Sequence, residues 1–99
     1  MGVIAEVTDS VLLAVASIPA GRVTSYGAIG RLVGVGPRAV ARVLATQGDQ
    51  VCWWRVLRAD GTIAGPVLER ATRLLTEDGV EVNEGRVDLT RYGVGPDAG

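Results

Sequence analysis

The sequence predicts a mainly α-helical domain with a small β-hairpin, arranged as a winged-helix-like helix-turn-helix. Three observations carry this. Apolar residues recur at helical spacing over residues 3–17 and again after Pro66. Between them, two short helical stretches flank the turn Gly34-Val35-Gly36, with Pro37 at the first position of the second stretch. Towards the C-terminus, Val80/Val82 and Val87/Leu89 alternate on either side of Asn83-Glu84-Gly85.

The elements follow in order. Val3, Ile4, Val7, Val11, Leu12, Val15 and Ile18 share one stripe, so residues 3–17 form an amphipathic helix that seals the core. Ile18-Pro19-Ala20-Gly21 ends it, because proline cannot continue a helix. Arg22-Val23-Thr24 is an extended link, and Thr24 or Ser25 caps a second helix over residues 26–33. The third helix runs from Pro37 to about Thr46, with Gly48 just beyond. Residues 51–58 follow, and strand-like alternation there would send Trp53 and Trp54 to opposite faces, one inward and one towards a cleft. Ala59-Asp60-Gly61 is a turn. Leu68, Ala71, Leu74 and Leu75 give a fourth helix over residues 66–77, stopped by Gly79. The sequence shows no internal repeat and no long linker, so residues 1–99 are expected to form one domain, with 92–99 as a loose tail.

Composition narrows the function. At 47% hydrophobic, the chain packs a core rather than staying disordered. A chain this size buries roughly 60–65% of its unfolded surface. No apolar run approaches the roughly 18 residues of a membrane span. Glu6 and the lack of an early basic region do not fit a signal peptide. One cysteine allows no internal disulfide, which points to the cytoplasm. With no histidine and one cysteine, a Cys/His zinc site is excluded, and neither metal nor cofactor is expected. The net charge is −1, but residues 19–58 carry six arginines (22, 31, 38, 42, 55, 58) against Asp49. Residues 59–99 carry four arginines against eight acids. Every basic residue is arginine, which can fork onto phosphate or stack on a base. The middle third is therefore the candidate nucleic-acid surface.

That third ends in Val51-Cys52-Trp53-Trp54-Arg55-Val56, which holds the only cysteine and both tryptophans. A free thiol with a pKa of about 8.5 is mostly protonated at neutral pH and needs an activating partner. There is no histidine to supply one, and Arg55 cannot take a proton, so Cys52 reads as a small buried hydrophobe. Glu77 and Asp78, at the end of a helix in an acidic stretch, read as a solvated face. Binding, rather than catalysis, remains.

This segment resembles the active site of the O6-alkylguanine-DNA alkyltransferases, whose Pro-Cys-His-Arg-Val motif carries the alkyl-accepting cysteine. Aligning Arg55-Val56 puts Trp53 at the nucleophile, Trp54 at the histidine and Cys52 at the proline. Tryptophan at the nucleophile position marks the alkyltransferase-like proteins, whose usual form is Pro-Trp-His-Arg-Val. Ser25-Tyr26 and Arg38-Ala39-Val40 match the family's openings of the two helix-turn-helix helices. The turn between them is about two residues shorter than usual, which favours Arg38 over Arg42 as the match. Leu74–Glu81 and Gly85–Leu89 resemble the C-terminal half, so the resemblance covers about residues 3–92. The separate N-terminal domain of many full alkyltransferases is not expected.

The resemblance implies a non-enzymatic protein that recognises O6-alkylguanine in double-stranded DNA by base flipping. It would then pass the lesion to nucleotide excision repair proteins. Tyr26, Trp53 and Trp54 would line the lesion pocket. Ser25, Tyr26, Pro37, Arg38, Ala39, Ala41, Arg42 and Arg55 would contact DNA. Arg38 would fill the vacated place in the duplex, and Ala39 and Ala41 would let the third helix approach the minor groove closely. A monomer, nucleoid-associated when bound to DNA, is expected. Two alternatives stand beside this reading. One is a catalytic alkyltransferase using Cys52; the other is a winged-helix module that reads ordinary DNA or protein.

Overall fold

Helix α1 (Val3–Ala16) runs as its apolar spacing predicts and turns Val11 and Val15 fully inward. The computed structural model describes residues 3–94, with side chains from Glu6 onward, so the Val3 and Ile4 side chains of the expected stripe lie outside the described residues. Ser25 caps α2 (Tyr26–Val33): its backbone is extended, and its Oγ accepts from the Ala28 N–H at 3.1 Å. The turn after α2 is closed by the N–H groups of Gly34 and Val35, which both donate to the Gly30 carbonyl at 2.7 and 2.9 Å. Gly34 takes the left-handed conformation there (φ 84°). Helix α3 (Pro37–Gln47) starts at its proline, and Val40 is its buried anchor.

Two short strands join the halves of the molecule. β1 (Thr24–Ser25) pairs in parallel with β2 (Val56–Leu57), Thr24 opposite Val56 and Ser25 opposite Leu57. Side chains alternate across a strand. Val56 therefore enters a core built by α1, α2 and α3 (Val11, Val15, Ile29, Val40). Leu57 enters a second core with Val23, Ile63, Leu75, Val80 and Val87. Each fully buried Val or Leu contributes roughly 1.5–3 kcal/mol relative to exposure. Helix α4 (Leu68–Glu77), entered through a 3-10 turn at Gly65–Val67, covers the second core with Ala71 and Leu75. Gly79 (φ 90°) ends it, as expected.

The expected hairpin over residues 80–89 forms its turn but not its ladder. Glu84 and Gly85 both have positive φ (53° and 76°), and Asn83 and Arg86 exchange two backbone hydrogen bonds at 2.9 and 3.0 Å. Past Arg86 the chain pairs with residues 61–63 instead: Val87 N–H donates to the Gly61 carbonyl, and Ile63 N–H to the Gly85 carbonyl, both at 2.9 Å. A Cβ on Gly61 would collide with the Val87 carbonyl, so only glycine permits this approach. The Asp88 carboxylate then accepts from the Thr90 and Arg91 N–H groups and starts α5 (Leu89–Tyr92), which makes Leu89 helical. Nor is the tail loose from Tyr92 onward. Tyr92 is buried, its carbonyl accepts from Val23 N–H at 2.9 Å, and Val94 N–H donates to the Val23 carbonyl at 2.9 Å. The rest of the expected tail, residues 95–99, lies outside the described residues.

Candidate nucleic-acid interface

The tryptophan segment is a turn, not a strand. Helix α3 gives way at the buried Gly48 to a 3-10 turn (Gly48–Gln50), closed by Val51 N–H donating to the Gly48 carbonyl at 3.0 Å. Trp53 N–H donates to the Val51 carbonyl at 2.8 Å, and Trp53–Arg55 form one more 3-10 turn before β2. The indoles are therefore not sent to opposite faces. They meet edge to face, with ring centroids 5.9 Å apart and planes at 90°. Both are half-buried against the α4-side core. A Cβ on Gly48 would come within 3.3 Å of the Trp53 Cβ, so this glycine also sets how closely the indole sits to α3.

The two indoles have different surroundings. The Trp54 Nε1 donates to Asp78 Oδ2 at 2.9 Å, and the Arg55 guanidinium lies 5.2 Å from its ring centroid. Trp53 has no such polar partner among the described residues; the exposed Arg70 of α4 stacks its guanidinium 5.4 Å from the ring centroid.

Arg55, expected at the DNA, is taken up inside the protein. Its Nε and Nη2 fork onto Asp78 at 2.7 and 2.9 Å, and its Nη1 donates to the Ile18 carbonyl at 2.9 Å. It holds the turn, because a cation this far buried needs an anion and Asp78 supplies one. The same contacts correct the reading of Asp78 as part of a solvated face. The Arg55 hydrogen bonds hold its carboxyl below the usual aspartate range against the opposing effect of burial, and the Trp54 N–H adds to them. The Asp78 hydrogen bond in turn pushes the Arg55 pKa up. Sequence reasoning missed Asp78 and Arg70. The available signal was an arginine beside two large apolar rings, which called for an acid from another element.

Cys52 has a structural setting. Its thiol donates to the Val15 carbonyl at 3.0 Å and lies 3.8 Å from that of Ile18, pinning the end of α1. Tyr26 opens α2 and is half-buried against the first core. The β1–β2 register brings it beside Arg58. Burial pushes the Tyr26 phenol up, and the Arg58 charge opposes this.

On α3, Val40 points into the core, while Pro37, Arg38 and Arg42 are exposed and Ala39 and Ala41 half-buried. Neither the Arg38 nor the Arg42 guanidinium has a hydrogen-bond partner among the described residues. A hollow of about 600 Å³ opens nearby, lined by Ser25, Arg31, Asp60, Asn83, Arg86 and Asp88 among others. Tyr26, Trp53 and Trp54 are not among its walls, so the expected pocket residues do not enclose this cavity. Among the described residues there is no cluster of three or more His, Cys, Asp or Glu able to hold a metal.

Comparisons with known proteins agree with this fold. Residues 6–80 match the family described as 6-O-methylguanine DNA methyltransferase, DNA binding domain. A DNA base-flipping protein of Escherichia coli (strain K12) is 41% identical over 86 residues, covering 79% of this chain and 66% of that protein. A bifunctional methyltransferase/endonuclease of Picrophilus torridus is 36% identical over 81 residues, covering 76% of this chain but only 27% of that protein. The crystal structure of S. pombe Atl1 in complex with damaged DNA containing O6-carboxymethylguanine superposes with a TM-score of 0.85 at 30% identity, covering 93% of this chain and 97% of Atl1. The match over residues 6–80, which span the helix-turn-helix and the tryptophan turn, together with these relatives, means that the chain belongs to the 6-O-methylguanine DNA methyltransferase DNA-binding family and is an alkyltransferase-like protein.

Proposed function

We propose that this protein binds duplex DNA containing an O6-alkylated guanine, draws the damaged nucleotide out of the stack, and holds it without removing the alkyl group. The observation that carries the reading is Trp53. It is a half-buried indole on the turn between α3 and β2, at the family's nucleophile position, with one residue of lateral support from Arg70. Extruding a base costs a few kcal/mol, less when its pairing is already damaged. An aromatic partner returns about 1–3 kcal/mol by stacking. The exposed Arg38 in the first turn of α3, without a partner among the described residues, is suited to occupy the vacated place, and the small Ala39 and Ala41 allow a close approach to the groove. The base-flipping name of the E. coli relative and the damaged-DNA complex of Atl1 support this reading.

The chemistry present supports retention without repair. Trp53 and Trp54 stand where the family's cysteine and histidine would act, and the chain has no histidine. The one thiol, on Cys52, is hydrogen-bonded to α1. This favours a sensor over transfer by Cys52, although the Picrophilus relative carries a methyltransferase name. A protein that holds a lesion it does not repair must hand it on, and nucleotide excision repair proteins are the proposed recipients.

The test is a titration of two short duplexes, one with O6-methylguanine and one unmodified, with the methyl group radiolabelled. Tighter binding to the lesion duplex, with all label remaining on DNA, is expected. Equal affinity for the two duplexes refutes lesion recognition, and label on the protein refutes the non-catalytic role.

A further inference from the structure

We propose that the 600 Å³ cleft beside α2 is a second stretch of the DNA-binding surface, in which Arg31 and Arg86 hold the phosphodiester backbone flanking the damaged nucleotide. The inference rests on the DNA-binding reading above and extends it beyond the helix-turn-helix.

Continuity is the first argument. Ser25 both caps α2 and lines the cleft, and it directly precedes Tyr26, so the hollow begins where the expected lesion contacts leave off. Arg31 runs back along α2 towards the helix start: its Nη1 lies 3.9 Å from where a Cβ on Gly27 would sit. The absence of a side chain at Gly27 leaves that path open.

The second argument is the state of the charges. Among the described residues, neither the Arg31 nor the Arg86 guanidinium has a hydrogen-bond or ion-pair partner. The acids on the same walls are engaged locally. Asp60 Oδ1 accepts from the Thr62 N–H at 3.0 Å and the Thr62 hydroxyl at 2.7 Å. Asp88 Oδ1 accepts from the Thr90 and Arg91 N–H groups at 2.9 and 3.3 Å. Neither forked donor is tied to an acid by a hydrogen bond, although the Arg86 charge acts on Asp60, and Arg58 flanks the cleft next to Ala59. Guanidiniums on the walls of a groove are suited to holding phosphates.

The third argument is how Arg86 gets there. It belongs to the acidic last third of the sequence, whose charge argues against DNA. The pairing of residues 85–87 with 61–63 carries it to the rim, where its Cγ lies 3.6 Å from the Cβ position of Gly61. The fold thus brings one of the few cations of that segment to the basic middle third.

The experiment measures affinity against salt for lesion and unmodified duplexes long enough to extend past α3. Arg31→Gln and Arg86→Gln should each lower the salt slope by about 1. Each should also weaken both duplexes by the same factor, leaving lesion preference unchanged. Asp60→Asn keeps the Thr62 contacts but removes a wall charge, so it should tighten both duplexes, a gain that misfolding cannot produce. Unchanged slope and affinity in the Arg31→Gln/Arg86→Gln double variant overturn the proposal and leave the cleft to an acidic protein partner. Wild-type protein that binds both duplexes equally would instead sink lesion recognition, while the slope comparison still judges the cleft.

Discussion

Arg55 and Asp78 are joined by two parallel hydrogen bonds, Nε to Oδ2 at 2.7 Å and Nη2 to Oδ1 at 2.9 Å. With the third bond to the Ile18 carbonyl, this pair ties the tryptophan turn to the end of α4 and the end of α1. The side chains are only 14% and 12% exposed, so solvent screens the pair little. Asp78→Ala leaves a largely buried guanidinium and the Trp54 N–H without their acceptor, and should cost about 3–5 kcal/mol. Urea unfolding of the variant beside wild type measures it.

The same pair predicts an acid limb. The Asp78 pKa is lowered in the folded state, so its stabilisation is fully present above the unfolded aspartate value of about 3.9 and is lost as pH falls through the folded value. Asp78→Asn removes this titration and should flatten the loss of stability as pH falls below about 4. An acid limb in the variant as steep as in wild type would show that other carboxylates cause it.

Trp53→Ala should lower the preference for an O6-methylguanine duplex over its control by about 1–3 kcal/mol. The ratio of the two affinities is the measurement to use, because general destabilisation weakens both duplexes alike. An unchanged ratio would return Trp53 to a packing role.

Arg38→Ala should reduce lesion preference and overall affinity together, whereas Arg42→Ala should act on overall affinity alone. Both side chains are exposed, so neither change should shift the thermal midpoint by much. The opposite pattern in paired titrations would move the intercalating role to Arg42.

Trp53→Cys should not restore alkyl transfer. A thiol there still lacks a base, because no histidine exists in the sequence. Mass spectrometry of the variant after incubation with lesion DNA should give an unchanged protein mass; a gain of one methyl group would show that another residue activates the sulfur.

The helices could be read from the sequence because their signals are local. Ser25 as cap, Pro37 as first residue and Gly79 as stop each act within a turn of their own position. What stayed hidden depends on pairs distant in sequence. Two-residue strands have no periodicity, so nothing in Thr24–Ser25 announces Val56–Leu57. The alternation at Val87 and Leu89 suggested a ladder, but the cap supplied by Asp88 overrode it at Leu89. In the candidate site, the chain order of Tyr26, Arg38 and Trp53 was legible. The partner that commits Arg55 inward was not, because Asp78 lies on another element and looks like any acid at a helix end.

The register of Thr24 with Val56 has a mechanical consequence. The corner that presents Tyr26 and the bend that presents Trp53 hang from one seam, with a packed core on either side of it. Neither can be displaced far without breaking that seam, and the segment between Ala59 and Pro66 is tied down in its turn, because Gly61 and Ile63 hydrogen-bond to Val87 and Gly85.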